Sequence, residues 1–182
     1  MDDVAHHLGI SKKTLYEHFR NKEDLVGYVI LMENEKQNRF FSDIRKKRMN
    51  AIEELMEVYR MINTVLREYN PSIEYDVRKY YPSLFMKLRD IRRKEMYKST
   101  SQNLTKGKKE GFYRRELNAD IISKLQVARF EHFFENDLFT VGELTSVKVF
   151  HELFLYHING ILNQKGRIFF EKNFEKYKSN LA

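Results

Sequence analysis

Residues 9 to 19 read Gly-Ile-Ser-Lys-Lys-Thr-Leu-Tyr-Glu-His-Phe, and they crowd ammonium, hydroxyl, phenol and imidazole groups into three helical turns. Such donors reach phosphate oxygens, and lysine also reaches guanine O6 and N7. The spacing of Val4, Leu8, Ile10, Leu15 and Phe19 gives two short helices a shared apolar side. Lys12, Lys13, Thr14, Tyr16 and His18 are left outward, as a helix entering a DNA major groove requires. The chemistry on offer is therefore recognition of a polyanion.

Catalytic and metal chemistry find no comparable set. The chain has no Cys, which excludes disulfides, thiol catalysis and Cys-ligated zinc and fits a reducing cytoplasm. His151-Glu152 is followed by Leu155 where a zinc-binding helix needs its second His. Glu131, His132 and Glu135 have no second Glu-x-x-His segment to pair with. Lys106-Gly107-Lys108-Lys109 lacks the glycine spacing of a phosphate loop. No cofactor, no metal and no enzymatic activity are expected.

The elements that must position the basic helix are all helical. A first helix spans Asp2 to Leu8, and Gly9 supplies the positive φ of a tight reversal. Ser11 caps the next helix by accepting from the amide of Lys13 or Thr14. Asn21, with Asp24 three residues on, starts a helix at Lys22 that runs to about Lys47. Further helices are expected over Ala51–Tyr69, Ser72–Tyr80, Pro82–Lys109 with Gly111 as its C-terminal cap, Asn118–Glu135, Leu144–Asn163 and Arg167–Lys178. Asp137 to Gly142 reads as a loop, and Gly166 as a helix breaker. The fold class is all-α, divided into residues 1–47 and 48–182. No apolar run approaches the ~20 residues of a membrane span, and Met1-Asp2-Asp3 is acidic where a leader would be basic.

The N-terminal motif resembles the tetracycline-repressor (TetR) family of bacterial regulators. Its anchors are Asp3-Val4-Ala5, Gly9-Ile10-Ser11, Thr14-Leu15-Tyr16, His18-Phe19, Lys22 and Leu25, all in the family's register. The resemblance covers roughly the first 30 residues. It implies a helix-turn-helix headpiece joined to a helical ligand-binding and dimerisation domain. In the family another helix precedes this motif, and here the chain begins at Met1, so the first helix of the headpiece is expected to be absent. The apolar sides of Val4, Leu8, Leu15 and Phe19 are then expected to be partly exposed.

By this resemblance the DNA-facing residues are Ser11, Lys12, Lys13, Thr14, Tyr16, His18 and Lys22. Lys12 and Lys13 stand where the family touches base edges, while Thr14, Tyr16, His18 and Lys22 stand where it holds phosphates. Lys22 also sits at a helix N-terminus, which favours an anion. The resemblance places a ligand pocket in the body, with Met56, Tyr59, Tyr69, Tyr81, Phe85 and Phe130 as candidates; the same residue types build ordinary cores. It pairs the last two long helices with their symmetry mates, through Ile122, Leu125, Phe133, Phe150, Phe154, Ile158 and Ile161. The expected protein is a cytoplasmic homodimeric regulator, a repressor released from a palindromic operator in double-stranded DNA by an apolar or aromatic small molecule. The rival is a dimeric helical module that binds a ligand or protein and, with an incomplete headpiece, no DNA.

Charge alone does not carry the DNA reading. The net charge is +7, but from Met1 to Lys22 Lys12, Lys13, Arg20 and Lys22 are nearly balanced by Asp2, Asp3 and Glu17. The strongest basic run comes later, from Lys87 to Arg115, and reads as a solvated helix face and loop or as a second nucleic-acid contact.

Overall fold

The structure, a computed structural model, describes residues 1–68, 70–133 and 138–178. Two compact units emerge, Met1–Lys46 and Lys47–Ala182.

The first unit holds α1 (Asp2–His7), α2 (Lys12–His18) and α3 (Lys22–Lys46). Gly9 takes φ +65° between α1 and α2. The Ser11 hydroxyl accepts from the Thr14 amide at 3.0 Å, and Asn21 Oδ1 accepts from the Asp24 amide at 2.9 Å to start α3. Both caps satisfy amides that a helix start leaves without intrahelical partners. Ala5 and Leu15 are buried where α1 meets α2, and Ile44 is buried in α3. The expected exposure of Leu15 is therefore corrected, whereas Val4, Leu8 and Ile10 are exposed and Phe19 is half-buried.

The second unit contains α4 (Ala51–Glu68), α5 (Pro71–Tyr80), α6 (Pro82–Lys109), α7 (Ala119–Phe133), α8 (Val141–Leu144), α9 (Val147–Ile161) and α10 (Gln164–Lys178). α4 presents one buried stripe, Ile52, Met56, Tyr59 and Asn63, at the spacing that keeps residues on one helix face. It packs against α6, α9 and α10. Phe154 and Ile158 of α9, with Phe170 and Phe174 of α10, complete a core in which the Tyr59 ring lies 4.6 Å from Phe154 and 5.2 Å from Phe174.

One buried tyrosine ties this core together. Tyr113 is fully buried in the turn after α6, where Gly111 adopts φ +73°. Its hydroxyl lies 2.9 Å from Asn103 Oδ1 and 3.1 Å from the Ala51 carbonyl, and donates between them. Burial, with Glu54 and Glu110 nearby, raises its pKa well above that of an ordinary phenol, so the hydroxyl keeps its proton. Tyr113 and Leu162 form an antiparallel bridge; no strand occurs among the described residues.

Several boundaries differ from the sequence reading. Within the expected Asp137–Gly142 loop, Thr140 and Glu143 form a reciprocal capping box that starts α8 at Val141. Ser146 then caps α9, which begins at Val147 rather than Leu144. Gly166 does not break a helix but lies inside α10: Asn163 Oδ1 accepts from its amide at 2.9 Å. A side chain there would strike the Phe112 carbonyl. What Gly166 supplies is a close approach of two backbones.

Candidate nucleic-acid interface and the body interior

The outer face of α2 follows from its inner contacts. With Leu15 buried, Lys12, Lys13, Tyr16, Glu17 and His18 are exposed and Thr14 is half-buried. Tyr16 is 45% exposed. The hydroxyls of Ser11 and Thr14 lie 2.8 Å apart, which gives both a local capping role in addition to any phosphate contact.

Ion pairs sort the cations of this unit. Lys12 Nζ meets Asp2 at 2.9 Å, and this hydrogen bond holds the Asp2 carboxyl below its usual range and lifts the lysine. Arg20 meets both carboxylate oxygens of Asp24, at 3.2 and 3.3 Å, and lowers that carboxyl's pKa likewise. Lys36, Arg39 and Lys46 pair with Glu33, Glu35 and Asp43. Lys13 and Lys22 have no such partner among the described side chains, so they remain the free point charges. Residue type alone does not separate Lys12 from Lys13; the tie to Asp2 does so.

In the body, the predicted ligand residues differ in burial. Met56 and Tyr59 are buried within the core, and the Tyr59 hydroxyl lies 2.9 Å from His151 Nδ1. Tyr81 and Phe85 are half-buried, and Phe130 is 43% exposed. Tyr69 lies outside the described residues. Two polar atoms missed by the sequence reading are more informative: Asn63 Oδ1 on α4 and Arg89 Nε on α6 are buried without a hydrogen-bond partner. An unpaired buried polar group costs about 1–3 kcal/mol, so each invites a partner from outside the chain. Asn63 carried a readable signal, since it is the polar member of the buried stripe on α4.

The interface residues divide. Phe154, Ile158 and Ile161 are buried within one chain and leave little surface to offer a partner. Ile122 and Phe150 pack against the same core. Leu125 is 61% exposed, next to Ile121 at 59% on α7, and Tyr156 on α9 is 80% exposed. The Phe133 and His132 side chains lie outside the described ones. α7 and α9 meet where Arg129 donates to the Leu153 carbonyl. Beside them His157 is pushed down to about 4 by burial and by Arg129. Among the described residues no cluster of His, Asp or Glu could hold a metal ion, and no helix is long and apolar enough to cross a membrane.

Known proteins agree with this anatomy. Residues 1–29 match the family model for bacterial regulatory proteins of the tetR family. No curated protein matches the chain. Among solved structures, a gamma-butyrolactone receptor described as an ArpA-like protein is 14% identical, with 99% of this chain and 86% of that chain covered and a TM-score of 0.66. The ketosteroid transcriptional regulator KstR2 of Mycobacterium tuberculosis is 20% identical over 90% of this chain and 84% of that one, with a TM-score of 0.57. These identities establish a shared fold. Residues 1–29 are thus similar in sequence to bacterial regulatory proteins of the tetR family, and the chain as a whole shares the fold of these two regulators.

Proposed function

We propose that this protein is a ligand-responsive transcriptional regulator, a homodimeric repressor rather than an enzyme, acting on operator DNA in the cytoplasm. The observation that carries the reading is α2: a capped helix with a solvent-facing row of donors, in which Lys13 is free to reach a base edge. In this reading Lys13 reads sequence, Tyr16, His18 and Lys22 hold phosphates, and Ser11 and Thr14 chiefly fix the start of the helix. Lys12 contributes once it leaves Asp2.

The body supplies the partner and the signal. The exposed apolar faces of α7 and α9, centred on Ile121, Leu125 and Tyr156, are the surfaces we assign to the dimer. A two-fold dimer places two recognition helices about 34–36 Å apart, matching successive major grooves of a palindrome. The effector is assigned to the interior bordered by α4 and α6, where Asn63 accepts a hydrogen bond and Arg89 donates one. Ketosteroids and gamma-butyrolactones, the compounds named for the two regulators above, are apolar frames bearing oxygen and are the first classes to try. Binding that favours a DNA-incompetent arrangement releases the operator by differential affinity, about 1–3 kcal/mol of coupling.

The test is fluorescence anisotropy of the full chain on the intergenic DNA beside its own gene, over a salt series and against unrelated DNA. Specific, salt-sensitive binding that an effector reverses is expected. Binding with no preference for that DNA would sink the regulator reading. Light scattering checks the interface: Leu125→Glu is expected to halve the particle mass.

A further inference from the structure

The basic run ending at Arg115 has no task in the function above. Its last two arginines, together with Arg167 of α10, line a cleft of about 640 Å³ that also includes Glu116 and Asn163. The two walls are fastened to each other by backbone hydrogen bonds. The Arg114 amide donates to the Ile161 carbonyl at 3.0 Å, and the Asn163 amide donates to the Phe112 carbonyl at 3.0 Å. The Asn163 side chain adds bonds to the Gly111 carbonyl at 2.9 Å and the Tyr113 carbonyl at 3.3 Å. Buried Tyr113 anchors the turn from beneath. The backbone that carries the arginines is thus fixed, and only their exposed side chains remain for a ligand to order.

The charge is mostly uncommitted. Arg114 Nε approaches Glu116 at 3.7 Å, an exposed and loose contact. Arg115 and Arg167 meet no carboxylate among the described residues. Asn163 caps α10, whose positive dipole end opens at the same place. Three guanidinium groups against one carboxylate leave two net positive charges, and arginine forks match phosphate oxygens in pairs.

We propose that this cleft binds a small phosphate-bearing molecule, a phosphomonoester or diphosphate, at a site separate from both the recognition helix and the effector interior. Its volume falls within the ~300–1,000 Å³ of small-ligand sites. The cleft is open to solvent, so a compact anion reaches its arginines directly.

Isothermal titration of the full-length chain with inorganic pyrophosphate, at low ionic strength, tests this. One saturable site per chain is expected, with sulfate at matched ionic strength binding more weakly. The Arg115→Gln/Arg167→Gln double variant is expected to lose at least about tenfold in affinity, and Lys13→Ala to lose none. Both arginines are exposed, so the double variant should fold; a circular-dichroism melt checks this, and Arg167→Gln alone provides a milder second reading. The absence of a saturable isotherm, or an unchanged affinity in the folded double variant, would overturn the proposal. So would displacement of pyrophosphate by unrelated duplex DNA from both the parent and Lys13→Ala, because the phosphates served would then be those of a duplex.

Discussion

The headpiece and the body of this chain solve opposite problems. In residues 1–46, Ala5, Leu15 and Ile44 are the buried apolar side chains, while Val4, Leu8, Ile10, Tyr28 and Val29 remain exposed. Its order rests on caps, a glycine reversal and local ion pairs. In residues 47–182 a continuous aromatic and aliphatic core surrounds Tyr59, Tyr113 and Phe154. The contrast teaches that recognition and stability are carried by different physics in the two units. Local hydrogen bonds set which side chains α2 presents outward, whereas dense packing holds the frame. Perturbations should therefore separate cleanly: packing changes in the body alter the global melt, and changes on α2 alter binding.

Gly166→Ala should produce the largest effect. The added methyl would overlap the Phe112 carbonyl and the Leu162 side chain, and a backbone neighbour cannot rotate away. The expected loss is about 3 kcal/mol, or about 10 °C in Tm for a domain of this size. Val4→Ala in the headpiece, at 37% exposure, should shift the melt by less than about 0.5 kcal/mol. Equal shifts in scanning calorimetry would abolish the contrast between the units.

The pH dependence of the body should come next. Burial and then Arg129 push His157 down to about 4 from 6.5. The unfolded chain therefore binds a proton at this site between pH 6.5 and pH 4 while the folded chain does not. Stability from this group is complete above pH 6.5 and is lost as pH falls toward 4, by roughly 3 kcal/mol at the limit. Urea melts from pH 7.5 to 4.5 should show the decline, and His157→Gln should flatten it. A parallel decline in the variant would remove His157 as the cause.

The same division explains what could be read from the sequence. Elements governed by local rules were legible: the Gly9 reversal, the Ser11 and Asn21 caps, Pro82 opening α6 and Gly111 closing it. Long-range facts were not. Periodicity showed that α9 is apolar on more than one side, but not that Phe154, Ile158 and Ile161 face their own core while Tyr156 faces out. Gly166 resembles a breaker until the Phe112 carbonyl is known to lie against it. At the recognition helix the residue types were legible, but the division of labour between Lys12 and Lys13 was not, because it depends on the position of Asp2 across the turn.

That pairing gives a finer test. Lys13→Ala should cost about 1–2 kcal/mol on the preferred operator and change the order of preference among base variants. Tyr16→Ala should weaken all duplexes about equally, as loss of a phosphate contact does. Asp2→Asn should strengthen binding and steepen the salt slope by about 1, because Lys12 is released and an acid is removed. If Asp2→Asn leaves both affinity and slope unchanged, Lys12 has no part in the interface.

The smallest effect is also the most local. Ser11→Ala removes the acceptor for the Thr14 amide and the hydroxyl partner of Thr14, a loss of about 1 kcal/mol for an N-cap. Because α2 buries little besides Leu15, this loss should appear as faster amide hydrogen exchange confined to α2 and the turn before it. The melt of the body should stay in place, since none of its core contacts involve Ser11. DNA affinity should fall by about the same free energy, because a frayed α2 must be ordered again on binding. Slower exchange throughout α4 and α9 than in α2, for parent and variant alike, is the corresponding expectation for the body. An exchange change that spread into α4 or α9 would show the two units unfolding together, and the separation of recognition from stability would fail.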